Sequence, residues 1–143
     1  MPKLLCIGDV MLDVVVKLQG AINYGEDTSS KITTHGGGAA GNVASWIAHT
    51  GAHASIVARV GNDSAGAALI SEFEDLKVNH SSLIKTSDPT GVVVILVDQK
   101  GERTMFPETG ANSGLTLSDM PELTGFDGAY VSGYTLLNPR SRA

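Results

Sequence analysis

Cysteine and metal-binding histidine patterns are scarce in this chain of 143 residues. Cys6 is the only cysteine, which excludes an internal disulfide and a cysteine-based zinc site. Its place in an apolar stretch predicts a buried, inert thiol. The four histidines show neither an H-E-x-x-H motif nor a paired Cys/His spacing, so no metal site is predicted.

Positive charge and long apolar runs are also in short supply. Ten Lys and Arg against fifteen Asp and Glu give a formal net charge of −5, and the basic residues are scattered. Nucleic acid and anionic membrane are therefore not expected as partners. No apolar run approaches the roughly 20 residues that cross a bilayer, and Gly8-Asp9 interrupts the apolar start before a signal peptide can form. We expect a cytoplasmic chain of one domain, or part of one.

Glycine, by contrast, is abundant, with 17 residues that separate segments of alternating character. This alternation predicts βα units. Residues 4–7 form a short apolar run typical of a strand buried on both faces. A helix is predicted over residues 40–48, because apolar residues recur there at helical spacing and Gly51 follows as a stop. A strand at 54–60 and a second helix capped by Ser64 come next.

Other segments have β character. Apolar residues alternate over residues 10–18, which places Asp13 on the face opposite the more apolar one. Residues 31–34 are predicted to return beside them. Residues 91–98 are rich in β-branched side chains, and residues 102–107 can pair back across a hairpin turn. The remaining predicted elements are a loop at 110–112, a turn or short helix at 115–123 and a strand end at 129–132, with no closing element after it.

The glycine cluster before the first helix admits a dinucleotide-binding reading. Gly36, Gly38 and Gly41 satisfy G-x-G-x-x-G, and Asp63 lies near the distance at which an acidic residue would bind a ribose. That fingerprint follows the first buried strand directly, whereas here it does not. A nicotinamide-dependent oxidoreductase fragment is kept as a third alternative.

A glycine run before a helix has a more general use. It lets a ligand approach the backbone closely and directs free N–H groups at oxygen atoms. Asn42 lies early in the predicted helix, off its apolar face, and its amide can both donate to and accept from a sugar hydroxyl. The alternative is that Asn42 only caps or fills the loop.

These residues carry a family resemblance. The run from Gly37 to Ala44, Gly-Gly-Ala-Ala-Gly-Asn-Val-Ala, resembles the first signature of ribokinase-like (PfkB) carbohydrate kinases. Further matches follow the order of that family over nearly the whole chain: Gly8-Asp9 with Asp13, Val60 to Gly66, Thr90-Gly91, Gly101 to Arg103 and Gly110 to Asn112.

The resemblance implies a fold. It is an α/β fold with a three-layer βα core and a small β-sheet lid, incomplete at the C-terminal side. The lid strands would lie at about 13–18, 31–34, 91–97 and 103–106. A sugar would bind between the lid and the core.

The resemblance also implies substrate-binding residues. Asp13 matches the family aspartate that binds sugar hydroxyls, and its two carboxylate oxygens can accept from adjacent hydroxyls. The alternative reading of Asp13 is a charge on an edge strand that opposes aggregation. The glycine loop would contribute Gly37, Gly38 and Asn42.

Two lid residues are weaker candidates. Arg103 is in reach of an acidic or phosphorylated substrate if it is not simply solvated. Met105, with Phe106, is either an apolar wall of the site or lid core. The sequence does not separate these alternatives.

The activity implied by the resemblance is ATP- and Mg²⁺-dependent phosphorylation of a hydroxymethyl group on a sugar, sugar acid or nucleoside. In the family, the catalytic aspartate and nucleotide site follow a Gly-Ala-Gly-Asp motif in the C-terminal half, and nothing after Asn112 resembles it. No catalytic residue is therefore assigned to this chain, which alone is expected to be inactive. The principal alternative is a non-catalytic sugar-binding module. A homodimer through the lid strands, and self-association through an exposed apolar sheet edge, are further expectations.

Overall fold

A computed structural model describes residues 1–142. It contains two four-stranded sheets and three α-helices within that range. In chain order the elements are β1 (Lys3–Ile7), β2 (Met11–Leu18), β3 (Ser30–Gly37), α1 (Ala39–His49), β4 (His53–Gly61), α2 (Ser64–Asp75), β5 (Asn79–Thr86), β6 (Val92–Val97), β7 (Arg103–Glu108), β8 (Gly128–Val131) and α3 (Gly133–Leu137). Two 3₁₀ turns, Gly110–Gly114 and Leu117–Asp119, lie between β7 and β8.

The main sheet has the order β5-β4-β1-β8, and all its neighbouring strands are parallel. The larger core cluster joins β1 and β4 to α1 and α2, and includes the fully buried Cys6, Ile56 and Val60. A smaller cluster of Leu5, Val57 and Leu115 is separate from it. Alternating strands and helices around a parallel sheet confirm the predicted α/β class.

Helix α1 lies close to the sheet because its inner face is made of small residues. Ala40 and Ala44 are fully buried, and Ile47 packs against the same cluster. The helix ends as predicted at Gly51, whose φ of 89° suits the residue after a helix C-cap.

The second sheet has the order β3-β2-β6-β7. β3 and β7 run antiparallel to their neighbours, whereas β2 and β6 are parallel to each other. Register places Asp13 directly opposite His35 on β3 and beside Val93 on β6. Because alternate residues face opposite ways, Asp13 lies on the face away from Val14 and Val16, as its position in the sequence predicts.

The structure differs from the predicted elements at four places, one of which is the predicted loop at 110–112, where a 3₁₀ turn forms. Asp63, not Ser64, caps α2, and its Oδ1 accepts from Gly66 N at 2.8 Å. Strand β5 was not predicted, because its sequence NHSSLIKT is largely polar, as suits a half-exposed edge strand. After β8 the chain closes with the short helix α3, where no further element was expected.

The single thiol behaves as predicted. Cys6 is fully buried in the larger core cluster. Burial raises its pKa to about 11, so the thiolate is suppressed at neutral pH. Within residues 1–142, none of the helices is both long and apolar enough to span a bilayer.

Candidate substrate site

The candidate site lies where the chain leaves the carboxyl ends of the main sheet for the second sheet. Gly8 follows β1, Gly38 joins β3 to α1, and Ser132 follows β8. In open parallel sheets, ligands bind outside the carboxyl ends of the strands. The two sheets therefore meet at the position where the topology favours a ligand.

Gly38 can only be glycine at this junction. Its φ is 84°, a conformation that other residues rarely adopt. A Cβ atom on Gly38 would lie 2.6 Å from the carbonyl oxygen of Asp9 and 2.9 Å from Cα of Val10. The missing side chain thus lets the loop between β3 and α1 pack directly on the loop after β1.

Gly37 lies against Asp13, another of the predicted substrate residues. It is buried, and the nearest atoms to a Cβ built on it are the carboxylate atoms of Asp13. The Asp13 carboxylate therefore covers the glycine loop. Two of the predicted substrate residues are brought into direct proximity by this packing.

Asp13 is half-buried in a mixed electrostatic environment. Burial raises the pKa of its carboxyl group, and Glu72 raises it further, whereas the neighbouring His35 and Arg103 side chains lower it. Strand β2 is an inner strand of the second sheet, so the alternative of an edge charge against aggregation does not fit. A partly desolvated carboxylate is suited to accept hydrogen bonds from hydroxyl groups.

Asn42 lies on the first turn of α1 and its side chain is exposed. Its backbone N–H donates to the carbonyl of Gly38 at 2.9 Å, which places the residue one turn from the glycine loop. Among residues 1–142, its side-chain amide has no hydrogen-bond partner, so it does not cap the helix. The amide is available to a ligand.

Asp9 is a residue of the junction to which sequence reasoning gave no role. Its Oδ2 accepts from Ala39 N at 2.7 Å, and its Oδ1 accepts from Ser132 Oγ at 2.5 Å. A carboxylate is stabilised at this end of α1 by the helix dipole. The only signal in the sequence was the Gly8-Asp9 pair immediately after the first strand.

Arg103 and Met105 lie on the same face of the second sheet as Asp13. Cross-strand partners share a face, and Arg103 is opposite Val97, which in turn is beside Lys17 on β2. Met105 is opposite Ile95 in the same way. Phe106 points to the other face, so the pair Met105 and Phe106 does not form one wall. Both are about half exposed, at 54% and 55%.

Two polar contacts outside the predicted set hold the crossings between the sheets. Thr90 precedes β6, and its Oγ1 and N donate to the carboxylate of Asp63 at 2.6 Å and 2.9 Å. These bonds, led by the Thr90 hydroxyl, lower the pKa of Asp63. After β7, the buried Asn112 bonds the backbone of Val10. Both contacts fix the second sheet relative to the main one.

The start of α1 faces a carboxylate, that of Asp9. Residues 1–142 contain no group of three or more His, Cys, Asp or Glu side chains that could hold a metal ion. At the glycine loop, the first N–H of α1 donates to Asp9 rather than facing outward. A nucleotide phosphate would meet a carboxylate there.

A broad groove elsewhere on the surface is lined by Lys3, His53 and Lys77, among others. It lies at the amino ends of β1 and β4, opposite the end that carries Asp13. Because this is not the end at which parallel sheets bind ligands, we assign no site to it.

The chain belongs to the pfkB family of carbohydrate kinases, whose family model matches residues 1–143. This confirms the family resemblance noted in the sequence. The glycine cluster runs from the end of β3, in the second sheet, into α1 and does not follow the first central strand, so it lacks the context of a dinucleotide fingerprint.

Individual relatives are sugar kinases. The chain is 34% identical over 125 residues to the ribokinase of Mus musculus, covering 80% of this chain and 36% of the relative. It is 28% identical over 123 residues to the bifunctional ribokinase/ribose-5-phosphate isomerase A of Fructilactobacillus sanfranciscensis, covering 84% of this chain and 23% of the relative.

A solved structure of similar fold is the ribokinase of Cryptococcus neoformans var. grubii serotype A in complex with ADP. It superposes with a TM-score of 0.75 at 25% identity, covering 92% of this chain and 42% of that chain. The predicted ribokinase-like fold is thereby confirmed. The chain spans between 23% and 43% of the length of the curated relatives named here and others like them.

Proposed function

We propose that this chain is the substrate-binding part of an ATP-dependent kinase that phosphorylates a hydroxymethyl group on a sugar, sugar acid or nucleoside. The substrate-binding residues are Asp13, Gly37, Gly38 and Asn42, with Arg103 and Met105 at the lid. No catalytic residue is assigned to the chain. The strands β2, β3, β6 and β7 act as the lid, and the nucleotide-binding part of the kinase lies outside this chain.

One observation carries the proposal. The Asp13 carboxylate lies against Gly37, while the unpartnered amide of Asn42 lies one turn into the adjacent helix. A carboxylate accepts from two neighbouring hydroxyls, and an amide both donates and accepts. Together they match the alternating donors and acceptors of a polyol better than those of an apolar ligand.

Within phosphoryl transfer, the contribution of these residues is positioning. Hydrogen bonds from these residues to the secondary hydroxyls of the substrate hold its hydroxymethyl group in one position. This positioning removes much of the entropy cost of the reaction. Activation of the attacking hydroxyl, and stabilisation of the charge on the phosphates by a metal ion, are assigned in this proposal to the nucleotide-binding part of the kinase. We therefore expect the chain alone to bind substrate without transferring phosphate from Mg²⁺-ATP.

The test is calorimetric titration of the chain with ribose, fructose, gluconate and adenosine, repeated on an Asp13→Ala variant. We expect saturable binding of at least one ligand and at least a tenfold loss on substitution, about 1.4 kcal/mol. The matched control is Asp75→Ala, which removes an exposed carboxylate at the far end of α2. Binding that Asp13→Ala leaves intact, or no binding to a chain that circular dichroism reports as folded, would contradict the proposal.

The alternative is a sugar-binding module that takes part in no catalysis. The two functions differ in whether the genomic reading frame continues into a Gly-Ala-Gly-Asp segment. A continuous frame supports the kinase, and a stop codon at this position supports the module.

A homodimer through the lid strands is part of the proposal. The lid face opposite Asp13 carries a continuous apolar surface, on which Ile32 and Phe106 are 60% and 55% exposed. Covering such a surface with that of a second copy would remove it from water. A Phe106→Ser variant that sediments as the unmodified chain does would argue against this interface.

Location of the protein in the cytoplasm stays a prediction.

A further inference from the structure

The face of the lid sheet that carries Asp13 also carries an unpaired row of positive charge. Lys17 lies directly opposite Lys31 on β3. On its other side it is beside Val97, which pairs with Arg103 on β7. Because cross-strand partners share a face, the three basic side chains lie in one row across the sheet.

The row is not neutralised within the protein. Among residues 1–142 the ion pairs are Arg59–Asp119 and His80–Glu74, so none of the three basic groups has a carboxylate within 4.0 Å. Asp98 follows Val97, but its Oδ1 accepts from the backbone N–H groups of Lys100 and Glu102 at 2.8 Å and 2.9 Å. Three of the ten Lys and Arg, in a chain of net charge −5, are thus gathered in one row with no carboxylate at ion-pair distance among the described residues.

Protection of sheet edges does not explain this arrangement. Charges on the edge strands β3 and β7 would discourage pairing with other chains, which accounts for Lys31 and Arg103 taken singly. It does not account for Lys17, which lies on the inner strand β2. Like charges directly opposite each other destabilise a sheet, so the pairing of Lys17 with Lys31 calls for an anion.

The distance from Asp13 suits the two ends of one ligand. Lys17 is four residues along β2 from Asp13, about 13 Å at about 3.3 Å per residue. The flexible stems of Lys and Arg shorten this gap by leaning along the face. Lys17 and Arg103 lie on either side of β6, so two strand spacings of about 4.8 Å each separate their backbones. Their long side chains can span that gap.

We propose that Lys17, Lys31 and Arg103 form an anion subsite at the outer end of the lid, so that the substrate is a sugar carrying a phosphate or carboxylate group. This inference rests on the proposed function, because it takes Asp13 to hold the hydroxyl end of the same ligand. The glycine loop cannot take the anion, since the Asp9 carboxylate already occupies the start of α1. The row of Lys17, Lys31 and Arg103 is therefore the position at which the anionic group of the ligand would bind.

The experiment compares three ligands by calorimetry: fructose, gluconate and fructose 6-phosphate. The variant is Lys17→Gln/Lys31→Gln/Arg103→Gln. The control, Lys77→Gln/Lys100→Gln/Arg140→Gln, removes the same charge from exposed positions outside the row. We expect an anionic ligand to bind at least tenfold more tightly than fructose, to lose that advantage in the variant, and to keep it in the control. Added salt should weaken the anionic ligand alone.

A second measurement separates this inference from the proposed function. Titration with inorganic phosphate, followed by the backbone amide NMR signals of residues 17, 31 and 103, probes the subsite without any sugar. Shifts there support the subsite even if no sugar binds at Asp13. Binding of fructose that depends on Asp13, with no anion preference and no phosphate shifts, would overturn the subsite and leave the proposed function standing. Preference between gluconate and fructose 6-phosphate identifies the anionic group.

Discussion

Asn112 pairs with the backbone of Val10 as a neighbouring strand would. Val10 N donates to Oδ1 of Asn112 at 3.0 Å, and Nδ2 of Asn112 donates to the Val10 carbonyl at 2.9 Å. The same Nδ2 also donates to the carbonyl of Thr109. Asn112, where the chain leaves the second sheet, is thereby fixed to Val10, where it first enters that sheet.

Replacing Asn112 by Ala should destabilise the fold. The substitution leaves a buried backbone N–H and C=O of Val10 unpaired, and each such group costs about 1–3 kcal/mol. We expect the free energy of unfolding to fall by roughly 2–4 kcal/mol, measured by urea denaturation. Asn112→Asp keeps the acceptor for Val10 N but places an oxygen against the Val10 carbonyl. Its free energy of unfolding should therefore also be lower than that of the unmodified chain. Two variants as stable as the unmodified chain would show that the pairing is not formed.

Gly37→Ala should impair binding more than folding. The new Cβ would occupy the position of the Asp13 carboxylate, which has to move away from the glycine loop. We expect an affinity for the ligand identified by calorimetry at least tenfold weaker, with a circular dichroism spectrum like that of the unmodified chain. Gly133→Ala is the matched control, because a Cβ there meets nothing within 4 Å. Equal affinity in both variants would separate Gly37 from the site.

Asp13→Asn should make the chain more stable while weakening the binding of sugars. Burial raises the pKa of Asp13 in the folded state, so ionisation of this carboxyl group at neutral pH opposes folding. The destabilisation of the folded chain is absent below the pKa that the Asp13 carboxyl group has in the unfolded chain. It is complete above the raised pKa of the folded chain. Thermal unfolding at pH 7 should therefore occur at a higher temperature in the variant, and the difference should vanish in acid.

Binding supplies the opposite pH signature. As the pH falls through the raised pKa of Asp13, the carboxylate gains a proton and loses an acceptor for sugar hydroxyls. Affinity in the unmodified chain should fall over that range, and the weak affinity of Asp13→Asn should stay flat. An Asp13→Asn variant that unfolds at a lower temperature than the unmodified chain at pH 7 would contradict the stability prediction. An affinity that depends on pH as in the unmodified chain would contradict the binding prediction.

Local patterns predicted much of the fold because they report burial directly. The small residues of α1 recur at helical spacing since one face packs on the sheet, and the alternation around Asp13 reports the two faces of β2. Strand β5 gave no such signal. It lies at the edge of the sheet, where polar side chains remain in water and the apolar pattern is lost.

The candidate site could be predicted only in part from the sequence, because some of its contacts depend on the tertiary structure. Asp13 and the glycine loop stand out by residue type and by resemblance. The contacts of Asp9 join it to Ala39 and to Ser132, 30 and 123 residues away, and depend on how the sheets meet. The row formed by Lys17, Lys31 and Arg103 depends on strand register, which the sequence pattern does not specify across four strands.

The ion pair between Arg59 and Asp119 should make stability depend on acid pH. Arg59 Nε and one terminal nitrogen donate to the two oxygens of Asp119 at 2.8 Å each, and the Asp119 side chain is only 9% exposed. This hydrogen bonding lowers the pKa of Asp119. The stabilisation is therefore present above the pKa of the unfolded carboxyl group and is lost as the pH falls through the lowered one.

Asp119→Asn should cost about 1.5–3 kcal/mol at pH 7, the usual range for hydrogen bonds to a charged group. The difference from the unmodified chain should shrink in acid, measured by urea denaturation at several pH values. Asp75→Asn, at an exposed position, serves as the control and should differ little at any pH. A constant difference across the pH range would mean that the charge of Asp119 contributes nothing.

The open side of the main sheet should make the chain self-associate. β8 is an edge strand of this sheet, so one row of its N–H and C=O groups has no strand partner among the described residues. Val131 on that strand is 41% exposed, and Tyr134 and Leu137 on the helix that follows are 72% and 76% exposed. Unpaired strand edges beside apolar side chains are typical sites of association.

Sedimentation velocity over a concentration series tests this expectation. We expect the mean mass to rise with concentration, and Val131→Lys combined with Leu137→Ser to reduce the rise, because a charge on the edge opposes pairing. Phe106→Ser changes the lid face opposite Asp13 and tests the proposed lid dimer instead. Each variant should reduce association through its own surface and leave association through the other surface unchanged. A compact monomer at every concentration would contradict the prediction, since the apolar edge would then be stable in water without a partner.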